Sequence, residues 1–246
     1  MDARSIDQRR ARVFGVLYLA TFVTSIAALL LYETVLRHPR SYVAAGGHDT
    51  QVLFGVLLEL LLIVANIGTA VVIFPIVRRR NEELALGYVT ARVFESAFIL
   101  VGIVAMVAIV TLRQQVGASA GSFAYTLAAV KDWTFLLGPG WVVGLGNGLI
   151  LGYLMYRSGL VPRQACWLGL IGGPLIIVSG TALLLGGNHP SHTMHSLQAV
   201  VTIPEFAWEL FLGVYCTIWG FRRDASILTD GARTSAVAPT ALAAPA

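Results

Sequence analysis

Seven polar side chains in this sequence stand inside long apolar runs: Glu59, Asn66, Arg92, Glu95, Asn147, Glu205 and Glu209. An ionisable group at membrane depth costs about 2.5–3.5 kcal/mol on insertion scales, so such residues face a bundle interior or a water-filled cavity. Their spacing gives each pair a common direction on a helix. Seven residues bring Asn66 back over Glu59, three set Glu95 beside Arg92, and four set Glu209 beside Glu205. Four glutamates then meet one arginine. If all converge, three carboxyls lack a protein cation and need a proton or an external cation, which is the chemistry of a small-cation or proton site. The same residues also fit a structural network: Glu95 pairs with Arg92, Glu59 and Glu205 lie shallow enough to be hydrated, and a protonated Glu209 hydrogen-bonds to a neighbour. Both readings stand open at this level.

A second set is NHPSHTMH, with His189, His192 and His195 in steps of three. Three imidazoles so close suit a transition metal such as Zn²⁺ or Cu²⁺. A hydrolytic metal site also needs a general base, and the next carboxylate along the chain is Glu205. The H-E-x-x-H pattern is absent, as is a Gly-x-Ser-x-Gly elbow. The expectation is therefore no catalytic residue and no cofactor. The glycine run GWVVGLGNGLILG is no phosphate loop either: no strand precedes it, Leu149 stands where a third fingerprint glycine belongs, and no Lys-Ser/Thr follows.

These residues need long elements to hold them. The chain has 246 residues, of which 57% are hydrophobic and 12% charged. Soluble domains carry about 25% charged residues. Crossing a hydrocarbon core takes about 20 helical residues, and six runs are long enough: 13–36, 52–77, 86–112, 134–156, 166–185 and 197–221. They are continuously apolar, without the alternation of barrel strands. The expected fold is an all-α polytopic membrane bundle of six transmembrane helices. Basic residues precede the first run as in a secretory signal, but the run is long and no small-x-small cleavage site ends it, so it reads as an uncleaved span.

Orientation follows from the basic residues. With the N-terminus inside, the inner segments hold Arg4, Arg9, Arg10, Arg12, Arg78, Arg79, Arg80, Arg157, Arg163, Arg222, Arg223 and Arg233, and the outer ones hold Arg37, Arg40, Arg113 and Lys131, twelve against four. Short cytoplasmic loops are enriched in Lys and Arg, which places both termini inside (N-in/C-in). The net charge of +4 is explained by a basic face on anionic lipid, with no nucleic-acid partner required. The domain plan is a basic N-terminus over 1–12, a transmembrane domain over 13–223 and a disordered tail rich in Ala, Ser, Thr and Pro over 224–246, with a short interfacial helix over 121–132 in one outer loop.

Gly140, Gly144, Gly148 and Gly152 recur every four residues and fall along one side of a helix, the small-xxx-small pattern that lets membrane helices approach. Gly169 and Gly173 repeat that spacing in the fifth run, its expected neighbour. Asn147 falls on nearly the same face as Gly140. Pro139, Pro174 and Pro204 would interrupt their helices, as in transporters whose broken helices line a midplane site. Trp133, Trp141, Tyr156, Trp167 and Trp219 suit interfacial belts. Cys166 and Cys216 read as buried thiols, because a reducing cytoplasmic side disfavours a disulfide.

The stretches at 57–96, 145–163, 168–175 and 204–222, with their Ala-Leu-Gly-Tyr, Arg-Ser-Gly-Leu-Val-Pro-Arg and Pro-Glu-x-x-Trp-Glu motifs, together resemble a family of bacterial multi-span membrane proteins catalogued as domain of unknown function 4386. The resemblance covers nearly the whole chain to Phe221. It implies a polytopic protein of the bacterial inner membrane and carries over no activity. Glu59, Asn66, Arg92, Glu95, Asn147, Arg157, Pro162, Arg163, Glu205 and Glu209 match its motifs. The residues themselves favour transport or binding of a small solute, cation or proton through the Glu/Arg/Asn cluster. The competing classes are a non-catalytic scaffold or sensor, and a metal-dependent enzyme using the outer histidines.

Overall fold

The computed structural model describes residues 3–45, 47–186 and 192–228, with side chains omitted at Ala3 and over 192–197. It is all-α and has six helices long and apolar enough to cross a membrane. α1 spans Ala3–Arg37, and the short α2, Pro39–Ala45, leads to α3, Asp49–Val77. After a turn at Arg78–Arg80 comes α4, Glu82–Gln115. The fourth span starts as α5, Gly121–Phe135, continues through Leu136–Val142 and Gly144–Leu151 with π-helical bonding, and ends as α6, Gly152–Ser158. α7, Arg163–Leu185, and α8, His192–Ile218, complete the set.

Local chemistry sets the boundaries. Asn81 caps α4 by accepting from the Leu84 N–H at 2.8 Å, and Glu82 and Glu83 in its first turn complement the helix dipole. α6 stops at Gly159, whose φ of +66° an L side chain resists. In the fourth span Pro139 brings no N–H, and the glycines around it have weak α-helical preference. The backbone answers with i→i−5 bonds: the Val143 N–H reaches the Gly138 carbonyl, and the Gly152 N–H reaches that of Asn147. Such π turns are rare and gather at functional sites.

The helices close into a ring in which α1 meets α3, α3 meets α4, α4 meets the fourth span, that span meets α7, α7 meets α8, and α8 returns to α1. Two apolar cores fill the ring at different depths. One, around Phe14, Tyr18, Ile73, Tyr88, Leu154, Trp208 and Leu212, lies toward the face where α1 begins and α8 ends. The other, around Tyr32, Tyr42, Val56, Ile103, Met106 and Ala124, lies toward the opposite face. There Asp49 at the start of α3 accepts from Arg113, Gln114 and Tyr42 and ties α2, α3 and α4 together. The polar side chains occupy the layer between the two cores.

Several boundaries differ from those expected. Residues 3–12 are not a separate segment but the first turns of α1: Arg79 donates to both oxygens of buried Asp7 at 2.7 and 3.1 Å, and Gln8 bonds to Phe221. The tail does not begin at Asp224, because Ala225, Ile227 and Leu228 pack into the core where α1 begins and α8 ends, while 229–246 lie outside the described residues. Residues 121–132 are not a separate short helix but part of α5, which runs on into the fourth span. Cys166 and Cys216 are free and buried.

Gly144, Gly148 and Gly152 face α7. A Cβ on Gly144 would stand 2.7 Å from the Gly173 carbonyl, and one on Gly148 would stand 2.7 Å from Glu205 Oε2 and 2.9 Å from the Gly169 carbonyl. Gly140 does not take part, since its nearest neighbours, Phe135 and Leu136, belong to its own span and leave ordinary contact distance. Gly148→Ala should therefore destabilise the protein by about 1–3 kcal/mol through overpacking. Gly140→Ala should be neutral or stabilising by about 0.5–1 kcal/mol, as the more restricted residue in a helix. Thermal unfolding of the two variants side by side checks the contrast.

Candidate functional site

Asn66, Arg92 and Glu95 form a closed triad between α3 and α4. Arg92 Nη1 donates to Glu95 Oε2 at 2.7 Å, Arg92 Nη2 donates to Asn66 Oδ1 at 2.6 Å, and Asn66 Nδ2 donates to Glu95 Oε1 at 2.9 Å. The planar guanidinium suits this because its two Nη groups reach two acceptors at once. Below it Tyr18 and Tyr88 share a hydrogen bond at 3.1 Å, and the Tyr18 ring underlies the Arg92 charge at 5.5 Å.

Glu59 belongs to a second group. Lys131, expected in an outer loop, is 4% exposed and donates through Nζ to Glu59 Oε1, while Tyr32 donates to Oε2 at 3.0 Å. The Lys131 charge also lies over the Tyr32 ring at 5.3 Å. Gly102 of α4 makes room for the lysine, since a Cβ there would stand 2.9 Å from Lys131 Cδ. The charge balance is thus two cations against four carboxyls. Each cation is committed to one glutamate.

Glu205 and Glu209 on α8 are left over. Glu209 accepts from Asn147 Nδ2, and Asn147 is fixed in turn because its carbonyl accepts from Trp208 Nε1 at 3.0 Å. Glu205 is 1% exposed, and neither of its oxygens has a hydrogen-bond partner among the described residues. The backbone leaves a niche for it: a Cβ on Gly172 would lie 2.9 Å from Glu205 Cα and 3.0 Å from Oε2, and Gly148 borders the same oxygen.

The charged groups of all three sets, with Asn66 and Tyr32, line one cavity of about 240 Å³ in the polar layer. Glu59, Asn66, Arg92, Glu95, Lys131, Glu205 and Glu209 contribute its charged and amide surface, and Thr21, Ser25, Thr134 and Thr202 contribute hydroxyls. Asn147 reaches it only through Glu209. Sequence reasoning passed over Lys131, Tyr32 and Trp208. The lysine had a signal, being the sole lysine in a chain whose other basic residues are all arginine. Trp208 stood in the Pro-Glu-x-x-Trp-Glu motif between the two glutamates, whereas Tyr32 had no signal, because an aromatic residue in an apolar run reads as packing.

His189 lies outside the described residues, as do the side chains of His192 and His195. Among the described residues no group of three or more His, Cys, Asp or Glu is placed to hold a metal ion.

The model of a family described as a domain of unknown function (DUF4386) matches residues 13–220. No curated protein and no solved structure matches the chain. Every residue that lines the cavity falls inside the matched segment. With six membrane-length helices closed around those residues, the chain belongs to the DUF4386 family.

Proposed function

We propose that this protein binds a small cation in the mid-bundle cavity, with Glu205 and Glu209 as its ligands, and moves that cation or protons across the bilayer. The observation that carries this reading is Glu205. A buried carboxyl without a partner costs free energy that a bound cation or proton removes. A scaffold reading accounts for the Asn66–Arg92–Glu95 triad and the Glu59–Lys131 pair, since both join helices. It does not account for Glu205, whose oxygens have no hydrogen-bond partner among the described residues. The fourth span beside the site carries π-helical bonding, a kind of turn that gathers at functional sites, whereas α7 and α8, contrary to expectation, run unbroken through Pro174 and Pro204.

Orientation belongs to the same proposal. With Lys131 withdrawn into the bundle, the basic bias toward the face where α1 begins and α8 ends becomes stronger than the sequence count suggested, and the positive-inside rule puts that face in the cytoplasm. A bacterial inner membrane is the setting this implies.

The test is thermal unfolding of the purified protein with sodium, potassium, ammonium and methylammonium, for wild type and Glu205→Gln. A ligand at a hundred times its Kd stabilises by about 2.7 kcal/mol. At least one cation should raise the wild-type midpoint and leave that of Glu205→Gln in place, with the variant at least as stable as wild type when no cation is added. Equal responses in the two proteins, or none in either, would overturn the proposal.

A further inference from the structure

The cavity has an apolar mouth. On α1 the residues grade around the helix from Val23 and Leu30, which face outward, through Ile26 and Leu29, 47% and 49% exposed, to Ser25 and Thr21 inside. On α8 the same gradation runs from outward-facing Ile203, 59% exposed, through half-exposed Phe206 to half-buried Thr202 and Glu209 and buried Glu205. Ile26, Leu29 and Phe206 line the cavity together with Phe22 and half-exposed Phe135. Toward the face where α1 begins and α8 ends the two helices are in tight contact: a Cβ on Gly15 would stand 2.7 Å from the Gly213 carbonyl, and one on Gly213 would stand 2.9 Å from Leu19 Cδ2. Above that contact the Phe22 and Phe206 rings meet edge to face at 4.9 Å and form the floor of the opening.

The geometry points to an amphipathic ammonium ion as the ligand, admitted from the hydrocarbon between α1 and α8. The inference rests on the cation reading above and names the class of cation. A site for a hydrated inorganic ion needs a polar mouth to keep the ion solvated on entry, whereas the described residues of this mouth are aliphatic and aromatic. From the outside inward the wall passes from hydrocarbon to hydroxyl to unpartnered carboxyl, the order of an alkyl tail, a solvated neck and a charged head. The Phe22–Phe206 pair offers a ring face near the head, and aromatic faces favour alkylammonium ions. A volume of about 240 Å³ lies below the about 300–1,000 Å³ usual for enclosed drug-sized ligands. It takes the head and first carbons and leaves the rest of the tail among the lipid chains. A zwitterionic lipid head fits less well, because its phosphate would need a cation and both Arg92 and Lys131 already hold carboxylates.

The experiment uses the full chain in lipid nanodiscs and titrates tetramethylammonium, hexyltrimethylammonium and decyltrimethylammonium. Binding is read from tryptophan fluorescence, after subtraction of empty discs and of the Glu205→Gln protein. Each buried methylene adds about three- to fourfold in affinity from water, so the Glu205-dependent affinity should rise at least tenfold from the tetramethyl to the decyl ion. Leu29→Trp, a change at the lipid-facing rim, should cut that tail-length preference at least threefold. Glu205-dependent binding of tetramethylammonium as tight as that of the decyl ion overturns the amphipath and leaves the cation site standing. Absence of Glu205-dependent binding by all three ions overturns the cation site with it.

Discussion

Arg92→Leu should cost about 3–5 kcal/mol and leave little folded protein, because removing one partner of a buried ion pair strands the other charge. The stranded group is Glu95, which would keep only the Asn66 amide, and the Asn66 oxygen would lose its donor at the same time. Arg92→Lys should rescue poorly, since one ammonium cannot span the two acceptors that the guanidinium fork reaches. Arg92→Leu with Glu95→Gln should recover at least half of the loss, because the second change takes away the unmatched charge. Folded yield in detergent and the unfolding midpoint measure all three. A single Arg92→Leu variant as stable as wild type would show that the triad does not hold α3 against α4.

Lys131→Met should be comparably damaging, at about 3–5 kcal/mol, for the same reason. Glu59 would keep the Tyr32 hydroxyl alone, inside a cavity that already holds two carboxyls without a protein cation. Adding Glu59→Gln should restore most of the stability. The comparison is diagnostic because an exposed loop lysine, the position that local sequence suggests, would contribute about 0–1 kcal/mol in any surface pair. Unfolding midpoints of the single and double variants decide between the two placements.

The six spans and the convergence of the polar residues were legible because each rests on a cost that local sequence states outright. An apolar run of membrane length has few places to go but the bilayer, and an ionisable group inside it has few places to face but the bundle centre. What stayed hidden depends on partners far along the chain. Lys131 stands at the edge of an apolar run beside Asp132 and Trp133, so it reads as interfacial, and only its distance from Glu59 in space reveals the pair. Asp7 and Gln8 look like a hydrophilic lead, yet Arg79 and Phe221 draw them into α1. The glycine ladder was visible as a packing face, but the choice of Gly144, Gly148 and Gly152 over Gly140 follows from where Gly169 and Gly173 of α7 lie. The i→i−5 bonding of the fourth span is likewise a backbone response to Pro139 and to that close approach.

The division of labour within the polar layer was the least visible part. By sequence Glu95 has Arg92 beside it, while Glu59, Glu205 and Glu209 look alike, each one a carboxyl in an apolar run. In the fold two are neutralised by their own cations, one is steadied by an amide, and Glu205 stands in a glycine niche with no hydrogen-bond partner among the described residues. A binding role attaches to the last because it lines the cavity and no hydrogen bond among the described residues satisfies its oxygens.

The most direct test of that role is an infrared difference spectrum of the carboxyl region, recorded on lipid-embedded protein before and after methylammonium is added, for wild type and Glu205→Gln. A cation seated on Glu205 perturbs the stretching band of that carboxyl. The expected result is a difference band in wild type that is missing from Glu205→Gln and present in Glu33→Gln, a substitution on the exposed part of α1. Identical spectra from wild type and Glu205→Gln would contradict the account, for the cation would then bind elsewhere or not at all.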